Sequence, residues 1–341
     1  MKILTPISRK IKVGGDEYLY FGGTAYLGIP QHKSFRALYL EGLEYYGLNN
    51  GTSRSNNVQL SIYDEVEQYA AKSYGAEACL ITSSGYLAAQ LTVKELSGMG
   101  KVCYAPATHP ALWLNEVPRV DGSFSEWAEA LVEKINQSDL ENWVIISNSL
   151  NNLYPEIYDF SFVKEIHDSK KVILIVDDSH GLGVTNDGKG VFSTLPKQEN
   201  IELVVIASMA KALGVDAGLV FGTDQMISKL KHANVFLGAS PPSAAGLFAF
   251  MHASAIYKEE HEKLMRLSTK FEARGDWSFV PGFPVYLSND PGLAEYLKAQ
   301  QILISSFAYP DKKGRLLNRI VLSSWHTLAD IEELILALPK T

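Results

Sequence analysis

The side chains best suited to chemistry stand just beyond short apolar runs. Lys211 follows the run Val204–Ser208 and sits in the loop Met209-Ala210-Lys211-Ala212-Leu213-Gly214-Val215-Asp216, where Asp216 is the only carboxylate close in sequence. A lysine amine loses its charge readily when desolvated and can then attack an aldehyde to form a Schiff base. The plainer role for such a lysine is to snorkel to water at a loop edge. Asp177-Asp178-Ser179-His180 follow the run Lys171–Val176. Two carboxylates and a histidine there could ligate a metal, act as an acid/base pair, partner a heterocycle, or simply cap a turn. His109, in Thr108-His109-Pro110, lies past Val102–Ala105, at the end of a strand where α/β sheets meet ligands. Ser83-Ser84-Gly85-Tyr86 separates the run Ala78–Thr82 from a helical stretch beginning at Leu87, and such a turn offers free N–H groups to an anion. Arg54 is the only charge in the polar loop Asn49–Asn57, placed to meet an anionic group. The remaining histidines (His32, His167, His232, His252, His261, His326) are scattered through helical segments, so no metal site is expected.

These groups need a scaffold, and the chain's periodicity supplies one. Residues 10 to 22 alternate around Gly14-Gly15-Asp16 as a short hairpin, and helices are expected over His32–Tyr46, Ile62–Tyr74, residues 125 to 135 and Phe160–Ser169. Between them lie buried-strand patterns at Ala78–Thr82, Val102–Ala105, Trp143–Ser147, Lys171–Val176 and Val204–Ser208. Strands alternating with helices predict an α/β fold with a doubly wound, largely parallel sheet. A chain of 341 residues that is 46% hydrophobic is long enough for about two domains and a sizeable core. Its net charge of -7, with Lys and Arg dispersed, leaves no basic stripe for nucleic acid and no polybasic patch for lipid. Cys79 and Cys103 both lie in apolar segments, which suits reduced thiols. The first ten residues contain no long apolar stretch, so a cytoplasmic protein without membrane association is expected.

Taken together, the motifs resemble the fold-type I pyridoxal 5'-phosphate (PLP) enzymes and, within them, the α-oxoamine synthases, the group of 8-amino-7-oxononanoate synthase, 2-amino-3-ketobutyrate CoA ligase and serine palmitoyltransferase. The resemblance runs from about Tyr20 to about Leu338. It rests on Tyr26-Leu27-Gly28, Gly51–Arg54, Ser84-Gly85-Tyr86, Thr108-His109, Val176–Gly183, Ser208–Gly214, Pro241-Pro242 and Ser323–Thr327. It implies a large, mostly parallel-sheet PLP-binding domain over residues 31–232, a smaller α+β domain over 233–341, and an N-terminal arm over 1–30 that joins the small domain.

By the same resemblance, Lys211 would carry PLP covalently, Asp177 would pair with the pyridine nitrogen and make the ring an electron sink, His180 would sit near the phenolic oxygen, and His109 would stack on the ring. Ser84, Gly85, Tyr86 and Ser208 would hold the phosphate, and Asn152 would stand near the phenolic oxygen. A homodimer with shared active sites is implied, with Ser240 of the segment Gly238-Ala239-Ser240 reaching the partner's cofactor. The implied reaction condenses an amino acid with an acyl thioester. The alternative is an aminotransferase or lyase acting on an amine without the usual carboxylate, because three features depart from the family's pattern. Ser305 and Ser306 stand where the family carries a carboxylate-clamping arginine; Arg54 or Arg315 could supply the charge instead, whereas Arg319 aligns with an arginine that the family already has in a strand. Thr24-Ala25 replaces an Asn-Asp pair, and the region from about Ala255 to Pro291 is short. The substrate subsite is therefore assigned to Arg54, Ser305 and Ser306.

Overall fold

In this computed structural model, which describes residues 2–151, 153–273, 277–309 and 314–339, the first ordered element is a hairpin of β1 (Lys10–Val13) and β2 (Asp16–Phe21). Its turn residues Gly14 and Gly15 have φ of 59° and 100°, the left-handed backbone that a two-residue hairpin turn requires. Helices α1 (Lys33–Tyr46) and α2 (Ile62–Tyr74) follow. Strand β3 (Ala78–Thr82) then leads through the N-cap Ser84 into α3 (Gly85–Leu96), two residues earlier than the apolar pattern alone suggests. The advance comes from the cap: the Ser84 hydroxyl accepts the Leu87 N–H at 3.1 Å, so the first turn includes Gly85 and Tyr86.

Beyond β4 (Lys101–Tyr104), α4 (Phe124–Gln137) opens on a capping box between Ser123 and Glu126. Strand β5 (Asn142–Asn148) is followed by a short ribbon of β6 (Leu150–Asn151) and β7 (Glu156–Ile157). The helix expected over Phe160–Ser169 does not form; only a five-residue 3-10 turn, Ser161–Glu165, is present. Phe160 and Phe162 both pack on the Phe124 ring, at 5.5 and 6.0 Å, and residues two apart cannot share one α-helical face.

Strands β8 (Lys171–Asp177), β9 (Ile201–Ser208) and β10 (Gly218–Gly222) complete a six-stranded sheet of order β3-β10-β9-β8-β5-β4. It is parallel throughout except for β10, which runs antiparallel to both neighbours. Alternate residues of β8 divide between two cores: Val172, Leu174 and Val176 pack on one face, Ile173 and Ile175 on the other. A strand covered on both faces reads as a continuous apolar run, which is why this one stands out in the sequence.

Helices α5 (Asp224–Lys231), α6 (Asn234–Gly238), α7 (Ala244–His252) and the 19-residue α8 (Ser254–Glu272) lead to a second sheet. It contains β11 (Val285–Ser288), β12 (Ile302–Tyr309) and β13 (Arg315–Val321), with α9 (Leu293–Lys298) and α10 (Leu328–Ala337) beside it. The order is β1-β2-β12-β13-β11, so the N-terminal hairpin is hydrogen-bonded, parallel, to a strand from the far end of the chain. No helix among the described residues is long and apolar enough to cross a membrane.

Candidate active site

The carboxyl ends of the parallel strands open into a cavity of about 660 Å³, lined on one side by His109, Asn148, Asp177, His180 and Lys211 and on the other by Phe307 and Arg319. A cavity of similar size, about 650 Å³, lies at the opposite ends of β5, β8 and β9, and no histidine lines it. Two histidines, a strand-end carboxylate and a largely buried lysine meet in the first, whereas Asp168, Lys171, Glu199 and Glu202 line the second.

Asp177 is the last residue of β8, and its Oδ1 accepts the Ser179 N–H at 2.9 Å, which fixes the carboxylate at the rim. The adjacent Asp178 points the other way, as strand residues alternate. It is buried, its Oδ2 accepts the Val191 N–H at 2.7 Å, and burial pushes its carboxyl up to about 7. The two carboxylates therefore do not act as a pair: one faces the cavity, the other anchors the loop ahead of Val191. Among the described residues, no group of three or more His, Cys, Asp or Glu could hold a metal.

Lys211 is mostly buried. Burial lowers its ammonium below the ordinary lysine value, and the negative charges of Asp177 and Asp178 oppose that shift. Its carboxylate neighbours in space are thus these two residues, supplied by a different strand; in sequence the near one is Asp216. His180 is held neutral by burial and by the positive charges of Lys211 and Arg319, and its Nδ1 lies 2.8 Å from the Tyr26 hydroxyl. Tyr26 is fully buried and its phenol is raised by desolvation, so it stays protonated.

His109 is open to the cavity, yet desolvation still lowers its pKa, against the pull of Asp177. Its Nδ1 accepts the Ala111 N–H at 3.1 Å, which leaves Nε2 to carry the proton of the neutral ring. Its backbone N–H donates to Asn148 Oδ1 at 3.1 Å, while Asn148 Nδ2 donates to the Ala107 carbonyl at 2.8 Å. Ala107 is held at φ 53°, a region that side chains disfavour. Asn148 is therefore the residue that pins the His109 loop, and it was visible in sequence only as a polar residue ending an apolar run.

Ser84, Gly85 and Ser208 meet at the start of α3. A Cβ on Gly85 would lie 2.5 Å from Ser208 Cβ, so only glycine lets the α3 N-terminus approach the end of β9 this closely. The Ser208 N–H donates to Ser179 Oγ at 2.9 Å, tying this corner to the Asp177 loop. Tyr86 is exposed on the first turn, Ser240 is exposed after α6, and Asn152 lies outside the described residues.

Arg54, Ser305 and Ser306, expected at the substrate subsite, do not line this cavity, although Ser305 lies opposite Arg319 in the strand register. The Arg54 guanidinium is 3.3 Å from Glu67 and 3.8 Å from Asp64, beneath the rings of Tyr63 and Phe236, so its charge is already engaged. Ser305 Oγ accepts the Gly23 N–H at 3.4 Å, facing the N-terminal arm, and Ser306 is exposed. The cavity meets Phe307 and Arg319 instead. Arg319 is 6% exposed, its Nε has no hydrogen-bond partner, and no carboxylate among the described residues pairs with it. Its guanidinium lies 5.9 Å from the centre of the Phe307 ring. A buried guanidinium without an anion is costly, and a cavity-facing one is a ready carboxylate site.

Comparison with known proteins converges on this architecture. The model of the aminotransferase class I and II family matches residues 25–338. The 8-amino-7-oxononanoate synthase of Coprothermobacter proteolyticus is 25% identical, over 97% of this chain and 90% of its own. The enzyme of that name from Alcanivorax borkumensis is also 25% identical, covering 98% of this chain and 92% of the relative. Among solved structures, Sphingomonas wittichii serine palmitoyltransferase superposes with a TM-score of 0.78 at 16% identity, over 98% of this chain and 89% of that one. A serine palmitoyltransferase from S. paucimobilis, determined with bound PLP, gives 0.78 at 17% identity, over 98% and 90%. The 8-amino-7-oxononanoate synthase of Francisella tularensis gives 0.69 at 19%, over 94% and 97%.

Proposed function

The chain belongs to the aminotransferase class I and II family, and from that premise we propose that it is a PLP-dependent acyltransferase that condenses an α-amino acid with an acyl thioester. The residues present fit the cofactor. A lysine amine with a lowered pKa can take its aldehyde, a strand-end carboxylate its ring nitrogen, an accessible imidazole its ring face, and a capped helix N-terminus its phosphate. When bound, PLP supplies an electron sink for the negative charge that develops at the substrate Cα.

The remaining work falls to side chains. Lys211 Nζ would hold the cofactor aldehyde, and its amine, with a pKa lowered by burial, would accept the Cα proton. Asp177 would keep the ring nitrogen protonated, and the neutral His180, its ring fixed by Tyr26, would offer a hydrogen bond toward the phenolic oxygen. His109 would cover the ring face; Ser84, Gly85, Tyr86 and Ser208 would hold the phosphate. Arg319 binds the amino-acid carboxylate. In the condensation the Cα–H bond breaks and a bond forms from Cα to the acyl carbon as the thiolate leaves; the Cα–carboxylate bond then breaks with loss of CO2, and the electron pair left at Cα takes up a proton.

The observation that carries this reading is the convergence of Lys211 and the unpartnered Arg319 on one cavity. An amine cation site and a carboxylate site together describe an α-amino acid, which removes the reason for the alternative substrate, an amine lacking a carboxylate. The relatives' names support acyl transfer over transamination. A homodimer in the cytoplasm completes the proposal, with the exposed Ser240 serving the partner's site.

The test is a matrix of amino acids against acyl-CoA thioesters, followed by release of free thiol and of CO2. Thiol release that requires both substrates is expected. Conversion of the cofactor to its amine form with a 2-oxo acid, and no thiol release, would replace this reading by transamination.

A further inference from the structure

We propose that Phe307 makes this cavity selective for thioesters whose acyl chain is apolar to its end, an inference that rests on the acyl-transfer reading above. The cavity has two unlike walls. From the small sheet come Phe307 and Arg319; from the loops of the large sheet come Trp113, Val117, Pro118 and Leu153. The apolar surface does not stop at the buried centre. Val117, on the cavity wall, is 63% exposed, so the apolar wall reaches the surface. An amino-acid side chain would be enclosed near Cα, whereas a thioester arrives from solvent with its chain trailing along whatever wall reaches the mouth.

Charge completes the argument. Among the described residues, the only cations lining the cavity are Lys211 and Arg319. The first takes the amine and cofactor, the second the α-carboxylate, so among the described lining residues no further cation meets a carboxylate at the far end of an acyl chain. Arg119, between Pro118 and Val120 of the cavity wall, lines the adjoining groove with Cys103 and Lys134 and not the cavity itself. The position that could have supplied a second cation beside Arg319 holds a phenyl ring, 5.9 Å from the guanidinium. A terminal charge entering this wall would be desolvated without a partner, while each methylene placed against it gains about fourfold in binding.

The experiment uses the holoenzyme with saturating amino acid and compares octanoyl-CoA with an acyl-CoA of the same length ending in a carboxylate. Wild type should favour the apolar chain at least 100-fold in kcat/KM. Phe307→Arg should shrink that ratio at least tenfold, Phe307→Leu should keep it, and Phe307→Ser serves if the arginine variant does not fold, with an expected tenfold loss of preference. Calorimetric binding of octyl-CoA thioether, which has no transferable acyl group, gives a second readout. Tight binding that Phe307→Arg weakens, without thiol release from any thioester, would retain the apolar wall and dismiss the acyl-transfer function. Thiol release with equal use of both chains, unchanged in the Phe307 variants, would retain the function and overturn the wall.

Discussion

The two walls of the active cavity are built to different standards. On the large-sheet side three cavity side chains are held by hydrogen bonds: Asp177 with the Ser179 amide, His109 with Ala111 and Asn148, His180 with Tyr26. On the small-sheet side stand a guanidinium whose Nε has no partner and a phenyl ring. A group fixed by several hydrogen bonds is preorganised for one ligand; an unsatisfied buried cation is completed only when an anion arrives. The difference teaches that the large-sheet wall is largely preorganised while the small-sheet wall is completed only when an anion arrives.

The largest effect should come from the preorganised wall. Lys211→Ala should abolish the borohydride-sensitive visible absorbance of the bound cofactor and lower turnover by at least ~10³-fold, within the range lost with a general base plus a covalent anchor. Unchanged absorbance in that variant would remove Lys211 from its role. Next, Arg319→Ala should raise KM for the amino acid roughly 10- to 150-fold, the ratio that corresponds to a charge-assisted contact of about 1.5 to 3 kcal/mol, and leave the cofactor absorbance intact. If Arg319→Ala instead released the cofactor with the amino-acid KM unmoved, the division of labour between the walls would be wrong.

A smaller effect lies in the pH dependence of the apoprotein. Asp178, under the large sheet, has its carboxyl raised by burial to about 7, above its unfolded value. Its contribution is fully present below about pH 4 and is lost as pH rises through about 7. His326, buried in the small-sheet region with its imidazole lowered by burial to about 4, behaves oppositely. Its contribution is present above about pH 6.5 and is lost as pH falls toward 4. Asp178→Asn should therefore steepen the acid-side loss of thermal stability between pH 4 and 7, by at most about 1.4 kcal/mol per pH unit. Melting temperatures recorded across that range should fall more steeply on acidification in the variant than in the parent; an equal or shallower fall would overturn the assignment. The smallest effect is expected from Ser305→Ala, which removes one long hydrogen bond outside the cavity: KM for the amino acid should stay within about twofold.

The chemistry-bearing residues were legible because they follow buried strands. Five apolar residues in a row before Asp177, and five apolar or small ones before Lys211, are what a parallel strand covered on both faces must contain, and the next residue then lies at a carboxyl end where ligands bind. The N-terminal hairpin was equally local, since Gly14-Gly15 supplies its turn. Helix prediction failed at Phe160–Ser169, where packing on Phe124 overrode the apolar spacing.

Amino-acid order alone determined the alternation of strands and helices, and the presence of a lysine, a carboxylate and two histidines at strand ends. Tertiary structure alone decided which of Asp177 and Asp178 faces the cavity, that Asn148 pins the His109 loop, that Arg54 is spent on Glu67, and that β12 presents Phe307 to the cavity. The last depends on pairing register, Ser305 opposite Arg319 on β13 and Ile304 beside Phe21 on β2, and side chains alternate faces along a strand. A slip of one residue would exchange Phe307 for Ser306, and what prevents it is hydrogen bonding to a strand nearly three hundred residues away, a constraint with no local signature.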